Sequence, residues 1–260
     1  MAERLSIVRL QPQTVLDWAP RVGGGSAALH SAYPKARFVP VEPLPAARTA
    51  PAIERPWWSL RRAAPVPLAP ADVAAGAAQL LWSNMGLHGA MTPQKLLRQW
   101  HRALAIDGFL MFSTLGPGTL EALRGIYSGQ GWGMPYAPFV DMHDLGDMLV
   151  AAGFADPVMD QETITLTWAS ADACLAELRS LGGNVALQRY TGLRTPRWRQ
   201  RLGQALHEQV ETTSDGRIAL SFEVVYGHAF RPPPRPRLAA ETTVPLEDMR
   251  AMMRAGQRKA

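Results

Sequence analysis

The sequence predicts an α/β fold in which a mostly parallel sheet carries helices on both faces. One observation is a strand–helix–strand pattern over residues 80–118, with polar and glycine-rich residues after each predicted strand. Another is the apolar run Phe109–Ser113, because a strand without alternation is typical of a sheet that is covered on both sides. Ligands of such sheets bind beyond the carboxyl ends of the strands, so Ser83, Asn84 and the stretch 114–118 are expected to border a site.

The helix of this unit is predicted from its start signal and its periodicity. Thr92 is a candidate N-cap, and Pro93 suits the first helical turn because an N–H there has no intrahelical partner. Asp107-Gly108 is predicted to turn the chain into the second strand. Between these signals apolar residues recur at helical spacing, which indicates one buried face: Leu96, Leu97, Trp100, Ala103 and Leu104.

Two short strands are predicted before this unit, at 14–17 and 36–41, with a helix over 26–32 between them. The first strand ends in Asp17, and Glu42 directly follows the second. Seven prolines between residues 43 and 70 disfavour both helices and strands there. In that interval the strongest candidates are a short strand, Ala64–Leu68, and an aromatic anchor onto the core, Trp57-Trp58.

After residue 118 the pattern alternates again between helices and strands. Helices are predicted over 119–127, from the N-cap Asp141 to Gly153, from the N-cap Ser170 to Leu181, and from Thr195-Pro196. Strands are predicted over 157–168 and 219–230, so the helices over about 170–212 lie between the last two strands. A glycine- and proline-rich loop spans 128–138, and the charged, alanine-rich residues 231–260 are predicted to be a disordered tail.

Cysteine content and hydropathy limit the cellular setting. The single cysteine, Cys174, excludes an internal disulfide framework and favours a reducing compartment, so a cytoplasmic protein is expected. Cys174 shares a predicted helix face with three leucines, which favours a buried hydrophobe over a nucleophile. No apolar run is long enough to cross a bilayer, so no membrane partner is expected.

The charge balance points to acidic partners. Lysine and arginine total 27 against 22 acidic residues, and five arginines lie between Arg189 and Arg201. Such a surface attracts acidic macromolecules, although a merely solvated helix face explains the same pattern. A nucleic-acid role is the weakest alternative, because the sequence has no helix-turn-helix, zinc or RNA-binding signature.

Several motifs together resemble a known enzyme family. They read WSNMGL, a helix ending in WHRAL, DGFLMFSTLGPGTLEALR, FVDMHDLGDMLVAAGFADPVMDQETITLTW and ALSFEVVYGHAF. This series is similar to class I S-adenosylmethionine-dependent methyltransferases, and more narrowly to the malonyl-acyl-carrier-protein O-methyltransferases of biotin synthesis. The resemblance implies a Rossmann-like sheet with an antiparallel last strand and a small helical lobe inserted late. It also implies one methyltransferase-like domain over residues 1–230, with its lobe at about 170–212.

The resemblance also implies a cofactor site, for S-adenosylmethionine, that begins at the first strand. Asp17 matches the acid at its end, Gly23 matches one of three expected glycines, and Glu42 matches the acid that binds the ribose hydroxyls. Ser83 and Asn84 then complete the cofactor edge. The other two glycine positions are Ala19 and Arg21, with Pro20 between them.

For the substrate, the family implies a carboxylate on an acyl-carrier-bound group, and therefore an acidic acyl carrier protein as partner. The candidates for contact are Tyr136, Tyr226, Arg124 and Arg179, because arginine pairs well with a free carboxylate. Packing is the alternative role for each tyrosine. No catalytic residue is assigned, because methyl transfer to an ionised acceptor relies on alignment and desolvation. No metal is expected, since no metal-ligand spacing is present.

Two functions from different classes remain open at this stage. The first is an active S-adenosylmethionine-dependent O-methyltransferase, and the second is a degenerate relative that acts as a binding or regulatory protein. The departures at 19–21 favour the second. An open groove beside Gly23 and Glu42 would support cofactor binding, whereas Arg21 or Trp18 filling that groove would support the degenerate relative.

Overall fold

A computed structural model describes residues 1–49, 66–210, 212–234 and 247, and it contains one six-stranded sheet. The strands are β1 (Thr14–Trp18), β2 (Arg37–Val41), β3 (Ala78–Ser83), β4 (Leu104–Leu115), β5 (Ala155–Trp168) and β6 (Ile218–Phe230). The helices are α1 (Pro20–Gly23), α2 (Ser26–Ala32), α3 (Pro45–Thr49), α4 (Pro93–Ala103), α5 (Glu121–Gly129), α6 (Met142–Ala151), α7 (Ala171–Ser180) and α8 (Pro196–Gln209). Short 3-10 helices span Ala2–Ile7 and Pro70–Asp72.

The strand order is β2-β1-β3-β4-β6-β5, and only β6 runs against its neighbours. The pairs β1–β2, β1–β3 and β3–β4 are parallel, whereas β6 is antiparallel to both β4 and β5. The predicted fold class, a mostly parallel Rossmann-like sheet with an antiparallel last strand and helices on both faces, is therefore confirmed. The order reverses at β1, so the carboxyl ends of β1 and β3 form the crevice in which such sheets bind ligands.

Alternate residues of the central strands supply two separate cores, one on each face of the sheet. On one face Leu16, Leu81 and Phe112 pack with α4 and α6. On the other face Leu80 and Trp82 pack with α2 and the amino-terminal 3-10 helix. Burial on both faces explains why β3 and β4 read as continuous apolar runs.

The helices α5, α7 and α8 form a third cluster at the far end of β5 and β6. Cys174 is fully buried in this cluster, and burial raises the pKa of its thiol to about 11. The cysteine is thus a buried hydrophobe here, as its helix face predicts. Because α7 and α8 connect β5 to β6, this lobe lies over the sheet edge that carries the site.

Three of the four N-cap residues that the sequence predicts make a capping bond. The side chains of Asp141, Ser170 and Thr195 each accept a hydrogen bond from a backbone N–H of the first turn, at 2.8, 3.2 and 3.2 Å. Thr92 is the exception: it occupies the N-cap of α4, but its side chain makes no capping bond in the described part of the chain. The prediction of a side-chain cap at Thr92 is therefore wrong, although the helix begins at Pro93 as expected.

Three local expectations differ from the structure. The predicted loop over 21–25 begins as the single-turn helix α1, because Pro20 fits its first position. Asp107 lies within β4 and not before it, at a point where the pairing of β3 with β4 is irregular and the backbone φ is 63°. Of the candidate strand Ala64–Leu68, Leu68 forms one parallel bridge with Val41, and residues 64 and 65 lie outside the described residues. Trp57-Trp58 and nearly all of the predicted tail also lie outside them.

Candidate functional site

A cavity of about 880 Å³ opens at the carboxyl ends of the parallel strands. It runs from the end of β2 at Glu42, past the ends of β1 and β3, to the lobe at Leu178. This is the crevice that the strand order predicts as a ligand site. Its lining near β1 to β3 consists of Trp18, Ala19, Val22, Glu42, Pro43, Leu44, Pro70, Met85 and Gly86.

Glu42 is the acidic group of this cavity. It is fully buried, and its Oε1 accepts a hydrogen bond from the Arg21 backbone N–H at 3.0 Å. Its Oε2 is also buried and has no hydrogen-bond partner among the described residues. A buried carboxylate oxygen without a partner is costly, and a ligand that donates hydroxyl groups removes that cost. Glu42 Oε2 thus offers the acceptor that ribose hydroxyls would need, and the ribose-binding role that the family resemblance implies stays a prediction.

Asp17 lies one strand away, at the end of β1, but it does not line the cavity. Its Oδ2 accepts a hydrogen bond from the Ser26 hydroxyl at 2.5 Å, and its buried Oδ1 has no partner within the described chain. Burial raises the pKa of Asp17 to about 6, with the nearby Glu42 carboxyl contributing in the same direction. The Ser26 hydrogen bond opposes this shift. The expected cofactor role of Asp17 therefore stays a prediction.

The loop after β1 reaches the cavity without two of its three expected glycines. Ala19 takes the left-handed conformation (φ 55°) that glycine adopts at little cost, and its N–H donates to the Val41 carbonyl at 2.8 Å. Arg21 is exposed and is absent from the cavity lining, and its backbone N–H donates to Glu42. Trp18 is buried in the wall and packs edge-on against Trp100. Neither side chain fills the groove beside Glu42.

Gly23 and Asn84 hold the β1 loop against the end of β3. The Asn84 side-chain amide donates a hydrogen bond to the Gly23 carbonyl. A Cβ at Gly23 would lie 1.6 Å from the Asn84 carbonyl oxygen, so only glycine allows this approach. Asn84 lines a second, smaller cavity of about 380 Å³ on the α2 side of the sheet. Ser83 is fully buried and its hydroxyl faces Gly86, where a Cβ would lie 2.6 Å away.

The lobe end of the large cavity is apolar. Its inner wall is formed by Leu115, Leu120, Leu123 and Phe222, together with the aromatic rings of Tyr136 and Phe139. Tyr136 stacks on Phe139 at 5.3 Å between ring centroids, and its hydroxyl donates to the backbone carbonyls of Thr119 and Leu120. His88 lies edge-on to Phe139 at 6.1 Å and also lines the cavity.

The four predicted substrate residues do not lie together. Tyr136 lines the large cavity, whereas Arg124 pairs with Glu121 at 3.6 Å outside the lining. Tyr226 lines the small cavity, where burial and its hydrogen bond to Glu162 raise the pKa of its hydroxyl to about 12. Arg179 is exposed on α7, next to the lining residue Leu178. Of the predicted cofactor residues, only Glu42 lines the large cavity.

Among the described residues, no group of three or more histidine, cysteine or acidic side chains is arranged to hold a metal ion. In the same part of the chain, no helix has the length and apolar character needed to cross a bilayer.

Comparison with known proteins agrees with this geometry. A malonyl-acyl-carrier-protein O-methyltransferase of Laribacter hongkongensis is 39% identical over 246 residues, which cover 91% of this chain and 82% of the relative. One from Gallionella capsiferriformans is 36% identical over 244 residues, covering 90% and 82%. The chain belongs to the malonyl-acyl-carrier-protein O-methyltransferase family.

The solved structures agree with this assignment at the level of the fold. A candidate methyltransferase of Bacillus halodurans superposes with a TM-score of 0.56 at 15% identity, covering 89% of this chain and 99% of that protein. No protein-family model matches the sequence. Within the O-methyltransferase family the degenerate relative is not favoured, since the relatives are named as enzymes and the groove beside Glu42 is open.

Sequence reasoning missed most of the cavity wall of this O-methyltransferase. Met85, Gly86 and His88 follow the predicted end of β3, so the rule that placed a site after Ser83-Asn84 also applies to them. Leu178 and Leu181 come from the lobe, and no local signal in the sequence connects them to β1 or β3.

Proposed function

We propose that this chain transfers the methyl group of S-adenosylmethionine to the free carboxylate of a malonyl group carried on an acyl carrier protein. The observation that carries the proposal is the large cavity, which has the unpartnered Glu42 carboxylate oxygen at one end and an apolar wall at the other. The first end suits a ribosyl cofactor, and the second suits an acyl thioester. The names of the relatives supply the substrate class.

The residues around Glu42 fit the cofactor. Glu42 Oε2 would accept hydrogen bonds from the ribose hydroxyls, while its Oε1 remains bound to the Arg21 N–H. Leu44 and Pro70 would provide an apolar surface for the purine, and Trp18 would flank the methionine portion. The cavity passes all of these residues without obstruction by a described side chain.

S-adenosylmethionine supplies, when bound, a methyl group on a positively charged sulfonium. The work of the protein is then alignment and exclusion of water, because the acceptor is a carboxylate that is already ionised at neutral pH. Leu115, Leu123 and Phe222 would exclude water from the acceptor, which makes the carboxylate more reactive than it is in solution. No general base is required, which agrees with the lack of a catalytic dyad in the sequence.

Tyr136 would act as a wall of the acceptor site. Its hydroxyl proton is already donated to the carbonyls of Thr119 and Leu120, so its ring is the part that meets a substrate. The stack with Phe139 keeps this ring in place. In this proposal Tyr136 orients the acyl thioester, and Asp17, Gly23, Ser83 and Asn84 support the cofactor edge from behind.

The direct test supplies the purified chain with S-adenosylmethionine and malonyl-acyl carrier protein. Mass spectrometry of the carrier should show one added methyl ester, with S-adenosylhomocysteine formed in equal amount. Acetyl-acyl carrier protein is the matched control, because it offers the same thioester without a free carboxylate. An unmodified malonyl carrier, together with no thermal shift at millimolar S-adenosylmethionine, would refute the proposal and restore the degenerate relative.

A further inference from the structure

The outer rim of the large cavity combines exposed apolar side chains with arginine. Leu181 and Val185 line the cavity, yet 69% and 66% of their surfaces are exposed. Leu187 follows them and is 87% exposed. Arg179 precedes this apolar set and Arg189 follows it, and both are exposed. We call Arg179, Leu181, Val185, Leu187 and Arg189 the lobe rim.

The lobe rim is held firmly against the wall of the cavity. The Asn184 side-chain amide donates to the Met134 carbonyl at 2.7 Å, and the Met134 N–H donates to the Gln188 carbonyl at 3.2 Å. Arg189 also forms an antiparallel bridge with Gly133. The segment after Gly133 leads to Tyr136 inside the cavity. A partner that binds the rim therefore lies at a fixed position relative to the acceptor site.

The rim and the residues that follow it carry charge of one sign, although the lobe over about 170–212 also contains four acidic residues, Asp172, Glu177, Glu208 and Glu211. Residues 178–207 contain six arginines and no aspartate or glutamate. Within the described residues, Arg199 is the one of these six that forms an ion pair, with Asp172 at 2.7 Å. Arg194 stacks on Tyr190 and Trp198, which keeps its charge on the lobe. A local excess of arginine of this kind speeds encounters with acidic macromolecules and selects against basic ones.

We propose that the lobe rim is the docking surface for the acidic carrier protein. This inference rests on the proposed function. The carrier would place acidic side chains against Arg179 and Arg189 and an apolar patch against Leu181, Val185 and Leu187. The thioester-bearing arm of the carrier would pass between the apolar side chains of the lobe rim and enter the cavity beside Tyr136. Exposed apolar side chains at the mouth of a cavity are otherwise unfavourable, and a partner that covers them explains their presence.

The test compares kcat/KM of the same enzyme variant for two methyl acceptors, malonyl-acyl carrier protein and malonyl-pantetheine. In Arg179→Glu/Arg189→Glu, kcat/KM for malonyl-acyl carrier protein should fall about ten-fold or more at low salt, mainly through KM. For malonyl-pantetheine, which lacks the carrier, kcat/KM of the single variant Arg189→Glu should stay within about two-fold, because Arg189 lies outside the cavity lining and no carrier charge is lost. A loss on malonyl-pantetheine that appears only when Arg179 is also replaced would assign Arg179 to the substrate carboxylate instead of to the carrier. Arg37→Glu is the matched control, because Arg37 is exposed at the amino end of β2, away from the cavity mouth. It should leave both values unchanged.

An equal loss on both acceptors, or no loss on the carrier, would overturn the docking assignment. If the double variant unfolds, salt titration of the wild-type chain replaces it. Added salt should lower kcat/KM for the carrier substrate and leave the pantetheine substrate unaffected, whereas equal salt sensitivity would count against the lobe rim. Failure of the wild-type chain to methylate either malonyl thioester refutes the proposed function itself, so the two failures are distinguishable.

Discussion

Replacing Glu42 by glutamine should move ligand affinity and protein stability in opposite directions. Glu42 is fully buried, one of its oxygens accepts the Arg21 N–H, and the other has no partner in the described structure. Glutamine has nearly the same shape and keeps an acceptor for that N–H, but it removes a buried and partly unsatisfied charge. Since such a charge is costly in the folded state, the ligand-free Glu42→Gln protein should be at least as stable as the wild type.

The loss of affinity follows from the change in hydrogen-bond type. Hydrogen bonds to a charged acceptor contribute about 1.5–3 kcal/mol, against about 0.5–1.5 kcal/mol for neutral pairs. Because the hydrogen bond from the Arg21 N–H is kept, the weaker neutral hydrogen bonds replace only those that Oε2 makes to the ligand. A loss of about 1–2 kcal/mol corresponds to a Kd that is about 5- to 30-fold weaker for S-adenosylmethionine.

Isothermal titration calorimetry with S-adenosylmethionine measures the affinity, and urea unfolding without ligand measures the stability. Glu177→Gln is the matched control, because Glu177 accepts a hydrogen bond from the Trp168 indole in the lobe and does not line the cavity. This control should lose a little stability and keep the wild-type Kd. The reasoning fails if Glu42→Gln binds as tightly as the wild type, or if its stability falls together with its affinity.

Three further outcomes follow from buried groups. The pKa of Asp17 rises from 3.8 to about 6, so its carboxyl stays protonated to higher pH in the folded chain than in the unfolded chain. The free energy of unfolding should therefore fall by about 2 kcal/mol from pH 4 to pH 7 through this group. In Asp17→Asn the free energy of unfolding measured in urea should lack this fall with pH. If the wild type and the variant lose the same stability between pH 4 and pH 7, the assignment to Asp17 is wrong. Gly23→Ala should destabilise the fold by about 1–3 kcal/mol or more, because the added Cβ meets the Asn84 backbone carbonyl. The helical control Gly125→Ala has open space around it and should stabilise the fold by about 0.5–1 kcal/mol. Thermal melts that rank the two variants in the opposite order would refute the Gly23 contact. Cys174 should react with a thiol reagent at neutral pH only after denaturation, since burial raises its pKa to about 11; rapid labelling of the native protein would show that the lobe core is open.

The sequence determined the elements whose signals are local. Continuous apolar runs identified β3 and β4, since both faces of each strand are covered. Asp141, Ser170 and Thr195 marked three helix starts through bonds that reach only two or three residues along the chain. The position of Glu42, directly after the second strand, placed it at the carboxyl edge and therefore beside the cavity.

Only the tertiary structure decided how the site is closed and shaped. The left-handed Ala19 and the contact of Gly23 with Asn84 depend on strands that lie about sixty residues apart in sequence, so the missing glycines alone did not reveal an open groove. The rim residues reach the acceptor region because residues 184–189 bond to Gly133 and Met134, which no periodicity encodes. Local patterns in this sequence therefore determine the strands, the helices and the position of Glu42, whereas long-range packing determines which side chains line the cavity.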